Sequence, residues 1–191
     1  FLINVVERTY WLQSTDLGPK ALEDVTSAAF SEMNDPLRVP LLCSVARIQQ
    51  LVARNPEIAQ EALNRATDII RNHINDPVHG MIARCEITET LHLCGLDEQA
   101  QQRLASISAF AQQRTSRPSD KADEVIAEAA LGHARASDVI GAKGLLDLLD
   151  DFRFDAASRA QAIIYTYNGE YDKADAAVRR IANDNKRAKA R

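Results

Sequence analysis

The stretch Asn168-Gly169-Glu170-Tyr171-Asp172-Lys173-Ala174 decides how this chain folds, because it separates two segments that have the apolar spacing of helices. Glycine adopts the left-handed conformation that ends a helix at no steric cost, so Gly169 is expected to close the helix before it. The ring of Tyr171 is expected to cover the turn, and the small side chain of Ala174 should let two helices approach closely. The stretch therefore predicts an antiparallel helical hairpin.

The same elements recur along the chain. Cys94 to Ala100 has a glycine and an alanine at the matching places, Gly95 and Ala100. A triplet of an alanine, an aliphatic residue four positions on and an apolar residue three further on lies on one helix face. The five triplets are Ala21-Val25-Ala28, Ala59-Leu63-Ala66, Ala100-Leu104-Ile107, Ala142-Leu146-Leu149 and Ala174-Val178-Ile181. The spacing of their first alanines is typical of arrays of helical hairpins.

Helix starts are marked by Asn or Asp directly before proline, in Asn34-Asp35-Pro36, Asn55-Pro56 and Asn75-Asp76-Pro77. Asn and Asp cap the free N–H groups of a helix start, and proline fits the first helical position. With the glycines and later Ser-Asp pairs as further breaks, the pattern predicts ten helices. They are expected at residues 2–14, 18–32, 38–54, 56–74, 77–94, 97–114, 119–136, 138–150, 155–168 and 171–184.

Composition agrees with an all-α fold. Thirty of the 191 residues are alanine, against 7 Gly and 6 Pro, and alanine has the highest helix propensity. Alternating runs of β-branched and aromatic residues, which would predict strands, are missing. Hydrophobic residues make up 46% of the chain, which is enough for a packed core.

Charge and hydropathy narrow the partners. A net charge of −4 makes nucleic-acid binding an unfavoured function, since that function needs a basic face. No apolar run reaches the roughly 18 residues that a membrane span needs, so we expect a cytoplasmic protein with no membrane partner. Residues 120–155 carry nine acids and four bases, whereas the tail from Arg179 carries six bases and one acid. Opposite charges at two ends of an array favour head-to-tail association into a homo-oligomer.

The turn from Gly169 to Ala174 resembles the one between the two helices of a tetratricopeptide repeat, where the glycine, the aromatic ring and the alanine hold these places. Ala162 and Tyr165 match the small and large positions of that repeat's first helix. The resemblance is clearest over residues 155–184. It implies antiparallel hairpins stacked into a right-handed α-α superhelix, an α-solenoid of about ten helices.

The domain organisation follows from the same resemblance. We expect one helical-repeat domain over residues 1–191, with a joint between two sub-arrays near 114–119 and a basic, frayed tail at 185–191. Because the chain begins with Phe1 instead of methionine, we expect it to be a fragment or a processed form.

Tetratricopeptide arrays usually hold their ligands on the surface made by the first helix of each pair. The resemblance implies that this groove is lined by six residues of the present chain. They are Cys85, Glu89 and His92 from one repeat, and Arg159, Ile163 and Tyr167 from the last. Tyr167 beside Arg159 would supply one aromatic ring and one fork of donors for a peptide.

Catalytic and metal-binding patterns are weak. The single Glu-x-x-His, Glu89 to His92, has no second copy, which a di-iron bundle needs. A tetrahedral zinc site needs four ligands, and the sequence offers three near one another, namely Cys85, His92 and Cys94. The odd number of cysteines, Cys43, Cys85 and Cys94, favours buried free thiols. A Ser–His or Cys–His pair could form in three dimensions, but no local signature marks one. We therefore expect no metal and no cofactor.

The function predicted from these patterns is a non-catalytic interaction scaffold that binds a peptide or a partner helix in the groove. A ligand-sensing or regulatory domain of a larger protein is the alternative. A helical hydrolase or metal enzyme is the third reading.

Overall fold

The structure is a computed structural model that describes residues 17–31, 38–115, 120–149 and 154–189. These residues form nine α-helices and contain no β-strand, so the predicted all-α fold class is confirmed. The helix predicted over 2–14 and residues 116–119 of the predicted joint lie outside the described residues.

The nine helices are numbered here in chain order. They are α1 (Leu17–Phe30), α2 (Arg38–Leu51), α3 (Pro56–His73), α4 (Pro77–Leu93), α5 (Asp97–Thr115), α6 (Asp120–Arg135), α7 (Val139–Leu146), α8 (Asp155–Tyr167) and α9 (Tyr171–Lys189).

Two of the predicted helix starts show the expected caps. The side chain of Asn55 accepts a hydrogen bond from the backbone N–H of Ile58 at 3.3 Å, and α3 begins with Pro56. The carboxylate of Asp76 accepts from the N–H groups of Val78 and His79 at 3.0 and 3.1 Å at the start of α4. These local contacts satisfy N–H groups that have no partner inside a helix, which is why the starts could be predicted from the sequence.

Four turns within the hairpins each contain a residue in the left-handed conformation. A residue with positive φ follows the first helix in each: Arg54 (57°), Gly95 (72°), Ser137 (62°) and Gly169 (76°). Five positions after each of these residues lies the first alanine of a repeated triplet. These alanines, Ala59, Ala100, Ala142 and Ala174, are all buried. At Gly95 and Gly169 the next residue donates its N–H to the carbonyl five positions back at 2.9 and 2.8 Å. This bond is the Schellman closure, and Ser137 has the same bond in Asp138 N–H to His133 O at 2.9 Å.

Ser137 is therefore a serine in a glycine position, and Ser137→Gly is expected to stabilise the chain by about 1 kcal/mol. A side chain in the left-handed region costs roughly that amount, and glycine avoids this cost. Urea unfolding followed by circular dichroism measures the change. Ser27→Gly, an exposed position inside α1, is the control and is expected to destabilise by about 0.5 kcal/mol. Equal losses in both variants would contradict the repeated turn.

Two helices depart furthest from their predicted ends. The helix predicted over 138–150 ends at Leu146, because it contains Gly141 and Gly144, which are poor helix formers. The last helix continues to Lys189 instead of ending at 184, since Lys, Arg and Ala in this segment favour the helix. None of the described helices is both long enough and apolar enough to cross a membrane.

The helices alternate between two layers. The first helices α2, α4, α6 and α8 pack side by side, each against the next, and each also contacts the second helix that follows it. The hairpins are thus α2–α3, α4–α5, α6–α7 and α8–α9. In α8–α9 the chain reverses: the Lys173 ammonium lies over the Tyr165 ring, and Arg180 donates to Gln161 at 3.2 Å. This stacking places the exposed sides of the first helices on one surface of the array.

The neighbouring first helices α4 and α6 run parallel. Lys121 Nζ on α6 lies 2.6 Å from Asp76 Oδ2 beside the start of α4, and Arg135 Nη1 lies 3.5 Å from Glu89 Oε2 near the ends of both helices. In both pairs the residue on α6 follows its partner near α4 by almost the same number of positions. This is expected when two helices run parallel. The Lys121 ammonium also lowers the pKa of Asp76 to about 2.

Helix α4 joins the two large hydrophobic clusters of the core. Its Met81 and Cys85 pack into the cluster formed with α5 to α8, while its Ile87 and Leu91 pack into the cluster formed mainly with α2 and α3. Burial on two faces leaves only a narrow stripe of α4 for solvent. Any function of α4 must therefore use that stripe or its contacts with α3, α5 and α6.

Candidate functional site

Cys85, predicted to line the groove, is buried instead, and this prediction is wrong. Its side chain is 5% exposed, and its thiol lies 3.5 Å from the carbonyl oxygen of Glu128 on α6. The reason is Gly132 on α6, where an added Cβ would lie 2.3 Å from Cys85 Sγ. Because α6 has no side chain at this point, it approaches α4 and covers Cys85. Burial raises the pKa of the thiol to about 12, so the sulfur is not a nucleophile.

His92 also faces a different direction from the one predicted. Its ring Nδ1 lies 3.0 Å from Asp97 Oδ1, at the start of α5. The residue is therefore tied to the turn within its own hairpin instead of to the neighbouring first helix. Glu89, by contrast, reaches across to Arg135 on α6. Glu89 and His92 have different partners, so they do not form a chelating pair.

The exposed sides of the first helices carry a continuous series of charges, which we name the first-helix strip. It crosses α2, α4, α6 and α8 in order. Its members are Arg47, Glu86, Glu89, Glu128, Arg135 and Arg159. The charges act on one another: those of Arg47 and Arg135 reach Glu86, and those of Arg135 and Arg159 reach Glu128. Of the six predicted groove residues, the structure places Glu89 and Arg159 in this strip.

Two carboxylates of the strip, those of Glu86 and Glu128, lack an ion pair among the described residues. Glu86 and Glu128 are half-buried, and burial is the main cause that raises the pKa of each above its ordinary value. The nearby arginines lower the pKa in both cases, but by less than burial raises it. Among the described residues no Lys or Arg nitrogen forms an ion pair with either carboxylate. A partly desolvated carboxylate without an ion pair is a favourable contact for a cation from another molecule.

The remaining groove residues lie on α8. Ile163 is half-buried against the hydrophobic core, whereas Tyr167 is 70% exposed. Tyr167 follows Arg159 by two turns of the helix, which is about 12 Å along its axis, so the predicted adjacent pair is wrong. Tyr167 instead stands exposed at the end of α8, beyond the strip.

Metal-ligating side chains are not clustered in the described residues. Within the described part of the chain, no three His, Cys, Asp or Glu side chains are grouped so that they could hold a metal ion. Cys43, Cys85 and Cys94 are separate buried thiols.

A hydrogen-bonded series that sequence reasoning missed connects Ser108, His133 and Asp138. Ser108 Oγ on α5 lies 3.0 Å from His133 Nε2 on α6, and His133 Nδ1 lies 2.7 Å from Asp138 Oδ2. The other oxygen of Asp138 caps α7 by accepting from the N–H of Gly141 at 2.9 Å. Only the capping role was visible in the sequence, because Ser108 and His133 belong to different helices and meet only through packing.

The order of this series is that of a serine hydrolase triad, but its surroundings differ from an active site. His133 is 2% exposed, so its ring is enclosed by the surrounding helices. Ser108 lies inside α5, where backbone N–H groups bond within the helix and none is free to stabilise an oxyanion. The arrangement instead links three helices through buried polar groups.

The repeated turns and the two-layer packing are observed within this chain. They agree with an array of helical hairpins, although the spacing between equivalent alanines changes from one hairpin to the next. Comparison of the chain with family models, with curated proteins and with solved structures gives no match, so the tetratricopeptide resemblance remains a prediction.

Proposed function

We propose that the chain is a non-catalytic interaction scaffold whose first-helix strip binds a peptide or a partner helix that carries basic side chains. The observation that carries this proposal is the pair of half-buried carboxylates, Glu86 and Glu128, on neighbouring first helices. Each lacks an ion pair within the described residues. A lysine or arginine of a partner would supply the missing charge.

Apolar groups flank the carboxylates along α4. Ile82 and Leu93 are 39% and 49% exposed, and with Glu86 and Glu89 they form one stripe at offsets of four, three and four positions. An acidic centre between two exposed aliphatic side chains suits a partner whose basic residues alternate with apolar ones. Tyr167 adds a third apolar anchor, at the end of α8.

The strip also sets an expected pH dependence. Because burial raises the pKa values of Glu86 and Glu128, these groups become protonated at a higher pH than ordinary glutamates. Binding of a basic partner requires their charged forms, so it should be strongest at neutral pH and weaken as the pH falls toward those raised pKa values.

A random peptide library displayed on phage and selected against the purified chain tests the proposal. We expect selected peptides to share lysine or arginine next to apolar residues, and to bind in fluorescence anisotropy. The double variant Glu86→Gln/Glu128→Gln should weaken that binding at least about tenfold, since each lost contact is a charge-assisted hydrogen bond. Glu23→Gln, an exposed glutamate on α1, is the matched control and should leave the affinity unchanged.

Two results would contradict the proposal. One is a selection that yields no peptide with basic residues. The other is a peptide whose affinity is the same for the double variant and for the control. Circular dichroism of each variant separates loss of binding from loss of fold.

A further inference from the structure

A cavity of about 650 Å³ lies between α3, α4 and α5, away from the first-helix strip. It contains three guanidinium groups, from Arg71, Arg84 and Arg103, and none of its described lining residues is an acid. The rest of the wall is mainly hydroxyl and amide groups, including Thr67 and Gln102. Ligand pockets for small molecules have volumes of this size.

Arg84 is fixed in place without a polar partner. Its side chain is half-buried, its guanidinium lies over the Phe110 ring at 5.1 Å, and a Cβ at Gly80 would lie 3.0 Å from its Nη1. No group in the described ranges accepts a hydrogen bond from Arg84 or forms an ion pair with it. Its N–H donors therefore have no hydrogen-bond partner among the described residues.

Arg103 also has most of its N–H donors without a partner among the described residues. It is half-buried, and one of its five donors bonds to Thr67 Oγ1 at 3.1 Å. No described carboxylate lies within ion-pair distance of it, and burial lowers the pKa of both Arg103 and Arg84. The third arginine, Arg71, lies at the rim with its exposed neighbour Asp68 at 3.7 Å.

Two exposed arginines elsewhere in the molecule form ion pairs with acids on their own helix. Arg65 lies 2.7 Å from Glu61, and Arg179 lies 2.7 Å from Asp175, both on the surface where water already screens the charge. Arg84 and Arg103 in the cavity are more buried than these two arginines, and no acid among the described residues forms an ion pair with either of them. Burial of an unpaired charge is unfavourable unless a ligand of opposite charge compensates it.

We propose that this cavity binds a small phosphate-bearing molecule. The guanidinium groups of Arg84 and Arg103 would hold the phosphate oxygens through paired N–H donors, which match phosphate geometry. Arg71 adds charge at the entrance, and the hydroxyl and amide groups of the wall suit the polar remainder of the ligand. This proposal does not depend on the peptide-binding function of the first-helix strip.

Isothermal titration calorimetry with inorganic pyrophosphate tests the site, at constant low ionic strength to limit screening. We expect saturable binding with one site per chain. Arg84→Gln and Arg103→Gln should each weaken binding at least about tenfold, the usual loss for one charge-assisted contact. Arg179→Gln, which removes an exposed arginine of α9, is the control and should bind as the unmodified chain does.

Three outcomes would overturn the proposal. They are no heat of binding with the unmodified chain, equal affinity in the Arg84, Arg103 and Arg179 variants, and tighter binding of malonate than of pyrophosphate. The last result would assign the cavity to dicarboxylates. Because the unmodified chain is itself tested, a variant that fails to fold does not remove the test.

Discussion

Replacing Gly132 by alanine is expected to destabilise the chain by about 2 kcal/mol, even though alanine favours a helix over glycine. The added Cβ would lie 2.3 Å from Cys85 Sγ, 2.7 Å from Cys85 Cβ and 3.4 Å from Cys85 Cα. Rotation of the Cys85 side chain moves Sγ but not Cβ, so relief of the 2.7 Å contact requires α4 and α6 to move apart. We expect a net loss because this cost exceeds the gain of about 1 kcal/mol in helix propensity.

Thermal unfolding measures the effect, at roughly 2–4 °C per kcal/mol for a chain of this length. Gly144→Ala is the matched control: nothing lies within 4 Å of a Cβ at this exposed position of α7, so it should stabilise by up to about 1 kcal/mol. Cys85→Gly in the Gly132→Ala background removes the two shortest contacts. A double-mutant cycle should therefore show favourable coupling of about 1 kcal/mol or more. Stabilisation by both glycine replacements would mean that α4 and α6 are not in close contact.

This contact also explains which parts of the fold could be predicted from the sequence. Helix starts such as those at Asn55 and Asp76 depend on side chains within one turn of the groups that they cap. Gly95 and Gly169 identified two hairpin turns because glycine favours the required backbone conformation. Such local determinants are readable without knowledge of the packing.

Arg54 and Ser137 show the limit of the same reasoning. Both adopt the left-handed conformation in equivalent turns, although neither residue type favours it. The packing of the following helix, through its buried alanine, imposes the turn and overrides the local preference. The fixed offset of the turn residue from that alanine was the signal that could have located both turns.

The candidate sites depended still more on packing between distant segments. Cys85 and Glu89 are one turn apart on α4, yet one is covered by α6 and the other reaches the surface. Their difference is set by Gly132, which lies on another helix and far away in sequence. The cavity with the three arginines is lined by side chains of three helices, and no local sequence motif predicts such a combination.

The second large effect is expected at His133, where substitution by alanine should destabilise the chain by about 2–4 kcal/mol. The imidazole is 2% exposed and is the middle member of the series that joins α5, α6 and the cap of α7. Its removal leaves a cavity and deprives both Ser108 and Asp138 of a partner. Ser108→Ala should cost less, about 1 kcal/mol, because only one hydrogen bond is lost.

Urea unfolding of the unmodified chain, His133→Ala and Ser108→Ala measures these changes in the free energy of unfolding. His73→Ala is the control, because His73 is exposed on α3 and its replacement should change stability by less than about 0.5 kcal/mol. The same series permits a test of chemistry. A linking role predicts that a fluorophosphonate probe adds no mass to Ser108, because the ring of His133 is enclosed and no oxyanion donors are free. A stoichiometric adduct that requires His133, together with a small stability loss in His133→Ala, would reverse this conclusion. The chain would then be a helical hydrolase, and the first-helix strip would have to be re-examined as its substrate surface.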